Sequence, residues 1–334
     1  MLSESLMTHA IRIHEFGDAG VLRWEEIPVG DPGPGQVRLR QTACGLNYID
    51  IYMRTGTYPL ELPAVLGMEA AGVVEAVGDG VTEFSAGDRV AYAMVNGAYA
   101  ESRLVAADKL VRLPDSIDDQ TAAAMMLKGL TAHYLLFRTY AVKPGDTVLV
   151  YAAAGGVGSI LAQWASHLGA KVIGCVGSRE KAEVAITNGC MHTILYREEN
   201  IAQRVKELTG GEGVAVVYDG VGKATFEASL DSLRPFGMMV SYGNSSGQIE
   251  PFSPKILAPK GSLYVTRPTL ATHTATRKLL LEGAERLFDA VQRRIVTIQV
   301  NQSWPLSDAA AAQQAMESRQ TTGSTVLTIA GSGV

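Results

Sequence analysis

A short apolar run followed by a glycine-rich turn constrains this chain more than any other feature. Residues 147–151 read Thr-Val-Leu-Val-Tyr, which is typical of a buried parallel strand, and apolar residues recur at helical spacing from Gly156 onward. The turn between strand and helix consists of Ala153, Ala154, Gly155, Gly156, Val157 and Gly158. A dinucleotide fingerprint needs a small residue in its tight turn, a glycine against the pyrophosphate and a glycine where helix packs on strand. The pattern therefore predicts a dinucleotide-binding unit in which Ala153 replaces the first glycine.

Two other readings of this stretch are open. The same glycine turn can simply pack a helix against a sheet, with no nucleotide involved. Residues 147–165 also carry no charge and approach the ~20 residues that a bilayer requires. The glycine cluster in the middle, and the good strand before it, argue against a membrane span.

The pattern of strands and helices on either side predicts the domains. From Met7 to about Pro114, short strands are broken by Gly, Pro and Asp, which indicates a mostly β domain, and Asp118–Phe137 is helical in composition. After the fingerprint, strands alternate with helices, as in a doubly wound parallel sheet. The further strands are predicted at 171–176, 192–195, 214–218, 238–242 and 262–266. Beyond Pro268 the pattern predicts helices at 275–293 and 307–317 and strands at 295–300 and 324–329, which are compatible with completing either domain.

Composition narrows the partners and the compartment. The chain has 334 residues and 29 basic against 34 acidic side chains, a net charge of −5, with no basic block. This balance disfavours nucleic acid as the main partner. Three cysteines without paired spacing, and no apolar signal segment in the first 13 residues, predict a reducing, cytoplasmic setting. Residues 1–6 read as an extension before an alternative start at Met7.

The residues after the second predicted strand favour NADPH as the cofactor. An NAD site carries an Asp or Glu about twenty residues past the glycines, where it binds the ribose hydroxyls. Here that position is Gly177, followed by Ser178, Arg179, Glu180 and Lys181. Cations attract a 2′-phosphate, which a carboxylate would repel. The alternative is that Arg179 and Lys181 form only the solvated first turn of a helix, although basic residues there oppose the helix dipole.

The chain resembles the medium-chain dehydrogenase/reductase superfamily and, within it, the zinc-free NADPH:quinone oxidoreductases related to zeta-crystallin. The matching segments are Cys44–Asp50, Leu66–Val74, Gly87–Val90, Leu127–Thr131, Ala152–Gly158, Asn244–Gly247 and Lys260–Pro268. The resemblance implies an α/β fold, a Rossmann-type doubly wound parallel sheet plus a GroES-like mostly β catalytic domain. It places the catalytic domain at 1–127, the NADP-binding domain at 128–267 and a C-terminal part, 268–334, that returns to the catalytic domain. The active site is then expected in the cleft between the domains.

The resemblance also implies catalysis without metal. In the zinc-dependent members of the superfamily a Cys and a His bind the catalytic zinc, and the matching positions here are Asn47 and Met68. An amide and a thioether do not replace thiolate and imidazole as Zn²⁺ ligands. A quinone acceptor is compatible with the absence of a catalytic zinc, because its reduction gives an aromatic hydroquinone and needs little Lewis-acid help. The expected reaction is NADPH-dependent reduction of a quinone or similar electron-poor acceptor, by hydride or single-electron transfer.

The resemblance assigns the remaining site residues. On the nicotinamide and substrate side it places Asn47, Tyr52 and Tyr58, with Thr131 approaching the nicotinamide and Arg267 reaching the diphosphate or the cleft. Around the 2′-phosphate it gathers Gly177, Ser178, Lys181, Tyr196 and Arg319. Tyr242 and Gly243 end a parallel strand, and such sheets bind ligands at their carboxyl edges.

Each of these side chains also has a plainer reading. Tyr58 beside Pro59 can cover an apolar cleft, and Asn47 can cap a short helix around Asp50. Tyr196 can be an exposed strand end, and Arg319 a solvated helix terminus.

The last strand of the predicted sheet, 262–266, is an edge that invites pairing with a second subunit, so a homodimer is expected. Two rival functions stay open. One is an NADPH-dependent reductase of enone or alkenal double bonds, with Tyr52 or Tyr58 as proton donor. The other is a low-turnover NADPH-binding regulatory or RNA-binding protein, against which the negative charge weighs.

Overall fold

The computed structural model describes residues 6–329 and divides them into two compact units. Unit 1 holds residues 6–128, 274–288 and 298–329, and unit 2 holds residues 129–273 and 289–297. The extension expected before Met7 lies outside the described residues except for Leu6, where the first strand begins.

Sixteen strands and nine α-helices are assigned within residues 6–329. The strands are β1 (Leu6–Ile13), β2 (Arg23–Val29), β3 (Gln36–Leu46), β4 (Ala64–Val65), β5 (Glu69–Val77), β6 (Arg89–Ala93), β7 (Ser102–Ala106), β8 (Val111–Arg112), β9 (Thr147–Tyr151), β10 (Lys171–Val176), β11 (His192–Leu195), β12 (Val214–Asp219), β13 (Leu233–Ser241), β14 (Tyr264–Thr266), β15 (Val300–Pro305) and β16 (Ser324–Thr328). The helices are α1 (Tyr48–Arg54), α2 (Asp119–Tyr134), α3 (Gly156–His167), α4 (Arg179–Thr187), α5 (Ile201–Leu208), α6 (Phe226–Asp231), α7 (Leu270–His273), α8 (Arg277–Gln292) and α9 (Ala309–Glu317).

Unit 2 is built on a six-stranded parallel sheet with the order β11-β10-β9-β12-β13-β14. The strand order reverses between β9 and β12, and ligands of such sheets bind outside the carboxyl ends of the strands at this switch point. β12 is buried along its whole length, as expected for a strand covered on both faces. The predicted doubly wound sheet is confirmed.

Unit 1 contains a three-stranded sheet, β2-β1-β4, and a larger sheet with the order β15-β16-β3-β5-β6-β8 in which β7 also pairs with β3. The long strand β3 is central because it pairs with β5, β7 and β16. β16 comes from the end of the chain and runs antiparallel to β3, with Thr325 opposite Leu46. The mostly β character expected of the N-terminal part is confirmed.

One predicted strand is wrong. The strand expected at 295–300 is instead β15, Val300–Pro305, because the residues before it close helix α8. Arg294 is left-handed with φ 57°, and Ile295 N–H donates to the carbonyl of Ala290 at 2.9 Å. This is a Schellman cap, in which an apolar residue just past the helix packs back on it. The apolar residues Ile295 and Val296 therefore belong to the C-terminal cap of α8 and not to a strand.

No helix within residues 6–329 is both long and apolar enough to cross a bilayer. The uncharged stretch 147–165 is divided between β9 and α3.

Candidate cofactor and active site

The fingerprint turn joins β9 to α3 through tightly packed backbone. Ala152 is left-handed, with φ 51°, and its carbonyl accepts a hydrogen bond from Gly155 N–H at 2.8 Å. A Cβ on Gly158 would lie 2.2 Å from that same carbonyl oxygen, whereas one on Gly155 would lie 3.2 Å from it. Gly158 is thus required by packing inside unit 2. Gly155 is not required for that reason.

The start of α3 suits an anion. Gly155 is the N-cap residue and has no side chain with which to cap the helix. The first N–H groups of a helix lack intrahelical partners, and together with the helix dipole they bind phosphate. The predicted diphosphate residues Ala154, Gly155, Gly156, Val157 and Gly158 therefore form a turn that fits a dinucleotide.

The structure brings four of the five predicted 2′-phosphate residues together at the carboxyl end of β10. A Cβ on Gly177 would lie 2.7 Å from the hydroxyl oxygen of Tyr196, so the phenol lies against this glycine. Ser178 is the N-cap of α4, and its Oγ accepts from the backbone N–H of Lys181 at 3.4 Å. Register explains the meeting, because Val176 pairs with Leu195 in neighbouring parallel strands and Tyr196 follows at once.

Both basic and acidic side chains surround this cluster. Arg179 is highly exposed, and its Nη2 lies 3.7 Å from Glu198 Oε2, so it takes part in a surface ion pair. The Ser178 hydroxyl donates to the Glu180 carboxylate and lowers its pKa. The fifth predicted residue, Arg319, belongs to unit 1. It is exposed and left-handed, with φ 59°, just past the end of α9.

A second group gathers at the carboxyl ends of β12, β13 and β14. Gly220 and Gly243 approach so closely that a Cβ on Gly243 would lie 2.5 Å from the Gly220 carbonyl oxygen. The ring of Tyr242 also covers Gly220, where an added Cβ would lie 3.0 Å from the ring carbon Cζ. Arg267 reaches back over this edge and donates from Nη1 to the carbonyl of Ser241 at 2.8 Å. Tyr242, Gly243 and Arg267 are therefore neighbours at the edge where the sheet topology predicts a ligand.

Asn244 completes this group. With its amide oxygen facing Arg267, Oδ1 accepts from Arg267 Nη2 at 3.1 Å and Nδ2 donates to the carbonyl of Gly243 at 2.9 Å. The guanidinium is thus held by Ser241, the last residue of β13, and by Asn244 in the loop that follows.

Asp219, which the sequence reading overlooked, organises the loop after β12. It is fully buried, and its Oδ1 accepts from the N–H groups of Val221 and Gly222 at 2.7 and 3.0 Å. Its Oδ2 accepts from the hydroxyls of Thr225 and Ser229 at 2.7 and 2.8 Å. A buried carboxylate with four donors is well satisfied, and it fixes the loop on which Gly220 lies.

In unit 1, Asn47 belongs to a buried polar network. It is the N-cap residue of α1, and its Nδ2 donates to Glu69 Oε2 at 2.6 Å. Glu69 also accepts from Lys128 Nζ at 3.1 Å and from Leu127 N–H at 3.2 Å. Glu69 and Lys128 are both buried and form an ion pair. A buried carboxylate of this kind is tolerated because a cation and neutral donors surround it.

Tyr52 and Tyr58 lie together at the other end of α1. Their ring centroids are 5.3 Å apart in an edge-to-face arrangement, and Tyr58 N–H donates to the carbonyl of Tyr52 at 3.1 Å. Both are half-buried. Aromatic rings in this geometry attract each other and keep a fixed arrangement. The structure thus places Asn47, Tyr52 and Tyr58 around one short helix.

Asp50, in the first turn of this helix, is a further buried acid. Its Oδ2 accepts from Asn47 N–H at 2.9 Å and from the Tyr99 hydroxyl at 2.8 Å. Burial raises the pKa of Asp50 to about 7, against the lowering effect of these two hydrogen bonds and of the Lys128 charge.

Thr131 is buried on α2, one helical turn after Lys128, and belongs to unit 2. The predicted site residues therefore divide into two sets. Unit 2 holds the fingerprint turn, the 2′-phosphate cluster, the edge around Tyr242 and Thr131. Unit 1 holds Asn47, Tyr52, Tyr58 and Arg319.

Within residues 6–329, no three or more His, Cys, Asp or Glu side chains are arranged to bind a metal ion. Met68 is buried, and the Asn47 amide is hydrogen-bonded to Glu69.

Two family models match the chain. The one described as "Alcohol dehydrogenase GroES-like domain" matches residues 33–115, and the one described as "Zinc-binding dehydrogenase" matches residues 156–282.

Several relatives match nearly the whole chain. A 2-haloacrylate reductase from a Burkholderia species is 50% identical over 329 residues, covering 96% of this chain and 99% of the relative. A quinone oxidoreductase from Pseudomonas aeruginosa is 50% identical over 323 residues, with the same shares covered. Among solved structures, the Escherichia coli quinone oxidoreductase complexed with NADPH superposes with a TM-score of 0.94 at 47% identity, covering 96% of this chain and 99% of that one.

Proposed function

The chain belongs to the quinone oxidoreductases of the medium-chain dehydrogenase/reductase superfamily, and we propose that it reduces quinones with NADPH. The observation that carries this proposal is near-full-length similarity to quinone oxidoreductases at 47 to 50% identity. The activity depends on residues from many parts of the chain. A match over nearly the whole length is therefore expected to preserve it.

The site chemistry supports NADPH as the cofactor. The segment after β10 presents a glycine, a serine and a lysine, beside the tyrosine that follows β11, where an NAD enzyme carries a carboxylate. The Lys181 ammonium and the Tyr196 and Ser178 hydroxyls suit a 2′-phosphate. The uncapped start of α3 suits the diphosphate. Arg319 is proposed to join the phosphate site and Arg267 the diphosphate.

The mechanism follows from what these side chains can do. Bound NADPH supplies a hydride, or its electrons singly, to the acceptor. The protein binds and orients both partners, which is how much of the barrier to such a transfer is removed. Thr131 and Asn47 are proposed to contact the nicotinamide. Tyr52 or Tyr58 is proposed to donate a hydrogen bond to the quinone oxygen that becomes anionic, and water supplies the protons.

We propose that this reaction needs no zinc. Asn47 and Met68 stand at the positions of two zinc ligands in the metal-dependent members of the superfamily. The Asn47 amide donates to Glu69, and the Lys128 ammonium lies beside that carboxylate. A resident cation thus already neutralises the acid of this region.

A homodimer in the cytoplasm belongs to the same proposal. Strand β14 ends the sheet order of unit 2, and its Tyr264 side chain is 56% exposed. An exposed edge strand with a large aromatic residue is suited to pair with a second copy. All three cysteines are buried and free, in keeping with a reducing compartment.

Reduction of an activated carbon–carbon double bond is the second candidate function. It is favoured by the 50% identity to a 2-haloacrylate reductase. Reduction of an alkene needs a proton at the carbon next to the hydride acceptor, and the Tyr52 and Tyr58 hydroxyls are the candidate donors.

The test is loss of NADPH absorbance with 1,4-benzoquinone, 9,10-phenanthrenequinone, 2-chloroacrylate and a simple enone, with NADH run in parallel. The Lys181→Ala variant is compared with Lys171→Ala, because Lys171 is an exposed lysine at the opposite, amino end of β10. Loss of a charge-assisted contact of ~1.5–3 kcal/mol should raise KM for NADPH about tenfold to a hundredfold in Lys181→Ala only.

Rapid turnover with a quinone and a preference for NADPH support the proposal. Faster turnover with 2-chloroacrylate than with either quinone would favour the second function. Binding of NADPH without reduction of any acceptor would contradict both.

A further inference from the structure

The buried ion pair of Glu69 and Lys128 lies outside the residues assigned to the reaction so far. Glu69 is fully buried, and Lys128 and Asn47 are 4% and 5% exposed. The carboxylate holds the Asn47 amide at 2.6 Å and the Lys128 ammonium at 3.1 Å. Gly45 leaves room for this arrangement, because a Cβ there would lie 2.6 Å from Glu69 Oε2.

The geometry fixes which end of the Asn47 amide is available. An amide nitrogen has two hydrogens to donate. One goes to Glu69 Oε2, and the other points to the carbonyl of Gly45 at 3.4 Å. Both acceptors belong to the protein, so the amide nitrogen has nothing left to offer a ligand.

The opposite orientation of the amide is disfavoured by charge. It would put Asn47 Oδ1 against the carboxylate of Glu69, and two acceptors at hydrogen-bond distance in a buried site repel each other. Glu69 stays an acceptor because Lys128 lies beside it and Leu127 N–H donates to its other oxygen. The ion pair therefore determines the orientation of the amide.

We infer that Glu69 and Lys128 are positioning residues that leave Asn47 Oδ1, an acceptor, as the only atom of its amide able to bind the cofactor. This inference rests on the proposed function, in which Asn47 contacts the nicotinamide. An acceptor binds the N–H₂ of the nicotinamide carboxamide and does not stabilise an anionic oxygen. The oxyanion role then falls to the tyrosines. An amide oxygen has two lone pairs, so Oδ1 can accept both from the backbone in the first turn of α1 and from the cofactor.

Equilibrium binding tests the inference without any acceptor, so its result is independent of whether quinones are substrates. The probes are NADPH and its reduced 3-acetylpyridine analogue, in which a methyl group replaces the carboxamide N–H₂. The ratio of the two Kd values reports the carboxamide contact. A neutral hydrogen bond of ~0.5–1.5 kcal/mol corresponds to a ratio of about two to twelve in the unaltered protein.

The variant to compare is Glu69→Gln/Lys128→Met, which removes both charges at similar volume. A glutamine at this position can donate as well as accept, so the Asn47 amide loses its fixed orientation. We expect the ratio of Kd values to fall to within about twofold of unity. The control is Arg89→Met/Asp119→Asn, which removes another ion pair, at the start of the same helix. It should keep the ratio of the unaltered protein.

A merely structural role would weaken binding of both nucleotides equally and leave their ratio unchanged, and that result would overturn the inference. Absence of any preference in the unaltered protein would overturn it as well. If the double variant does not fold, Glu69→Leu/Lys128→Met provides the same comparison, because it removes the acceptor of the Asn47 amide and both charges with apolar side chains.

Discussion

Replacing Asp50 by asparagine should change how the stability of the protein depends on pH. The residue lies in the first turn of α1 and is completely buried, and its carboxyl accepts from Asn47 N–H and from the Tyr99 hydroxyl. Its second oxygen, Oδ1, has no hydrogen-bond partner among the described residues. Burial, with a smaller contribution from the negative charge of Glu69, raises its pKa from 3.8 to about 7, against the lowering effect of the two hydrogen bonds and of the Lys128 charge.

The sign and size of the effect follow from proton linkage. Well below pH 4 the native and unfolded chains both hold the proton, and the contribution of the carboxyl to stability is fully present. As the pH rises, the unfolded chain releases its proton first, so stability is lost until the pH passes about 7. A shift of roughly three pKa units corresponds to a loss of about 4 kcal/mol overall. Of this, about 2–3 kcal/mol falls between pH 5 and pH 8.

The Asp50→Asn variant keeps an oxygen that can accept both hydrogen bonds but has no proton to release. Its free energy of unfolding, measured by urea titration with circular dichroism, should therefore rise relative to the unaltered protein by about 2–3 kcal/mol from pH 5 to pH 8. Asp115→Asn, at an exposed carboxyl, is the control and should show no such change. A difference between Asp50→Asn and the unaltered protein that is the same at both pH values would refute the reasoning.

Two further predictions concern the fingerprint turn and the sheet edge. Gly158→Ala places a Cβ 2.2 Å from the Ala152 carbonyl oxygen, so it should lower the free energy of unfolding by at least ~1–3 kcal/mol. Gly155→Ala has 3.2 Å at the same carbonyl and should change stability by less than ~1 kcal/mol while weakening NADPH binding. Equal destabilisation of the two variants in urea would contradict this account. Tyr264→Lys puts a charge on the exposed edge strand and should shift a dimer to monomer in sedimentation, whereas Ile186→Lys, at another exposed apolar residue, should not.

The parallel sheet was predictable because its strands are short, apolar and separated by clear turn residues. Strands β9, β10 and β11 begin and end where the sequence pattern places them. The strand expected at 295–300 failed for a local reason. Two apolar residues after a helix look the same in sequence whether they start a strand or cap that helix. The left-handed residue that makes this a helix cap is Arg294, and the glycine that usually marks such a position is absent.

Some residues of the candidate site could likewise be predicted from the sequence, and others could not. The fingerprint turn and the segment 177–181 are contiguous, so spacing alone predicts which backbone groups they offer. Tyr196 joins Gly177 only through the register of β10 and β11, which pairs Val176 with Leu195. Spacing along the chain contains no such information, and resemblance to a family was needed to name Tyr196.

Glu69 and Lys128 show what physical reasoning on the sequence could still have found. Glu69 starts a strand whose next three residues are Ala, Ala and Gly, and all four are buried. A carboxylate in such surroundings requires a cation or several donors, because burying it alone is prohibitively costly. Lys128 is the one basic Lys or Arg between residues 118 and 137, in a helix otherwise rich in Ala, Leu and Met. Each residue is a charge within an otherwise apolar element. The two charges form an ion pair although they lie 59 residues apart in the sequence. A charge that is out of place in a predicted core is therefore a reason to search the other predicted core elements for its partner.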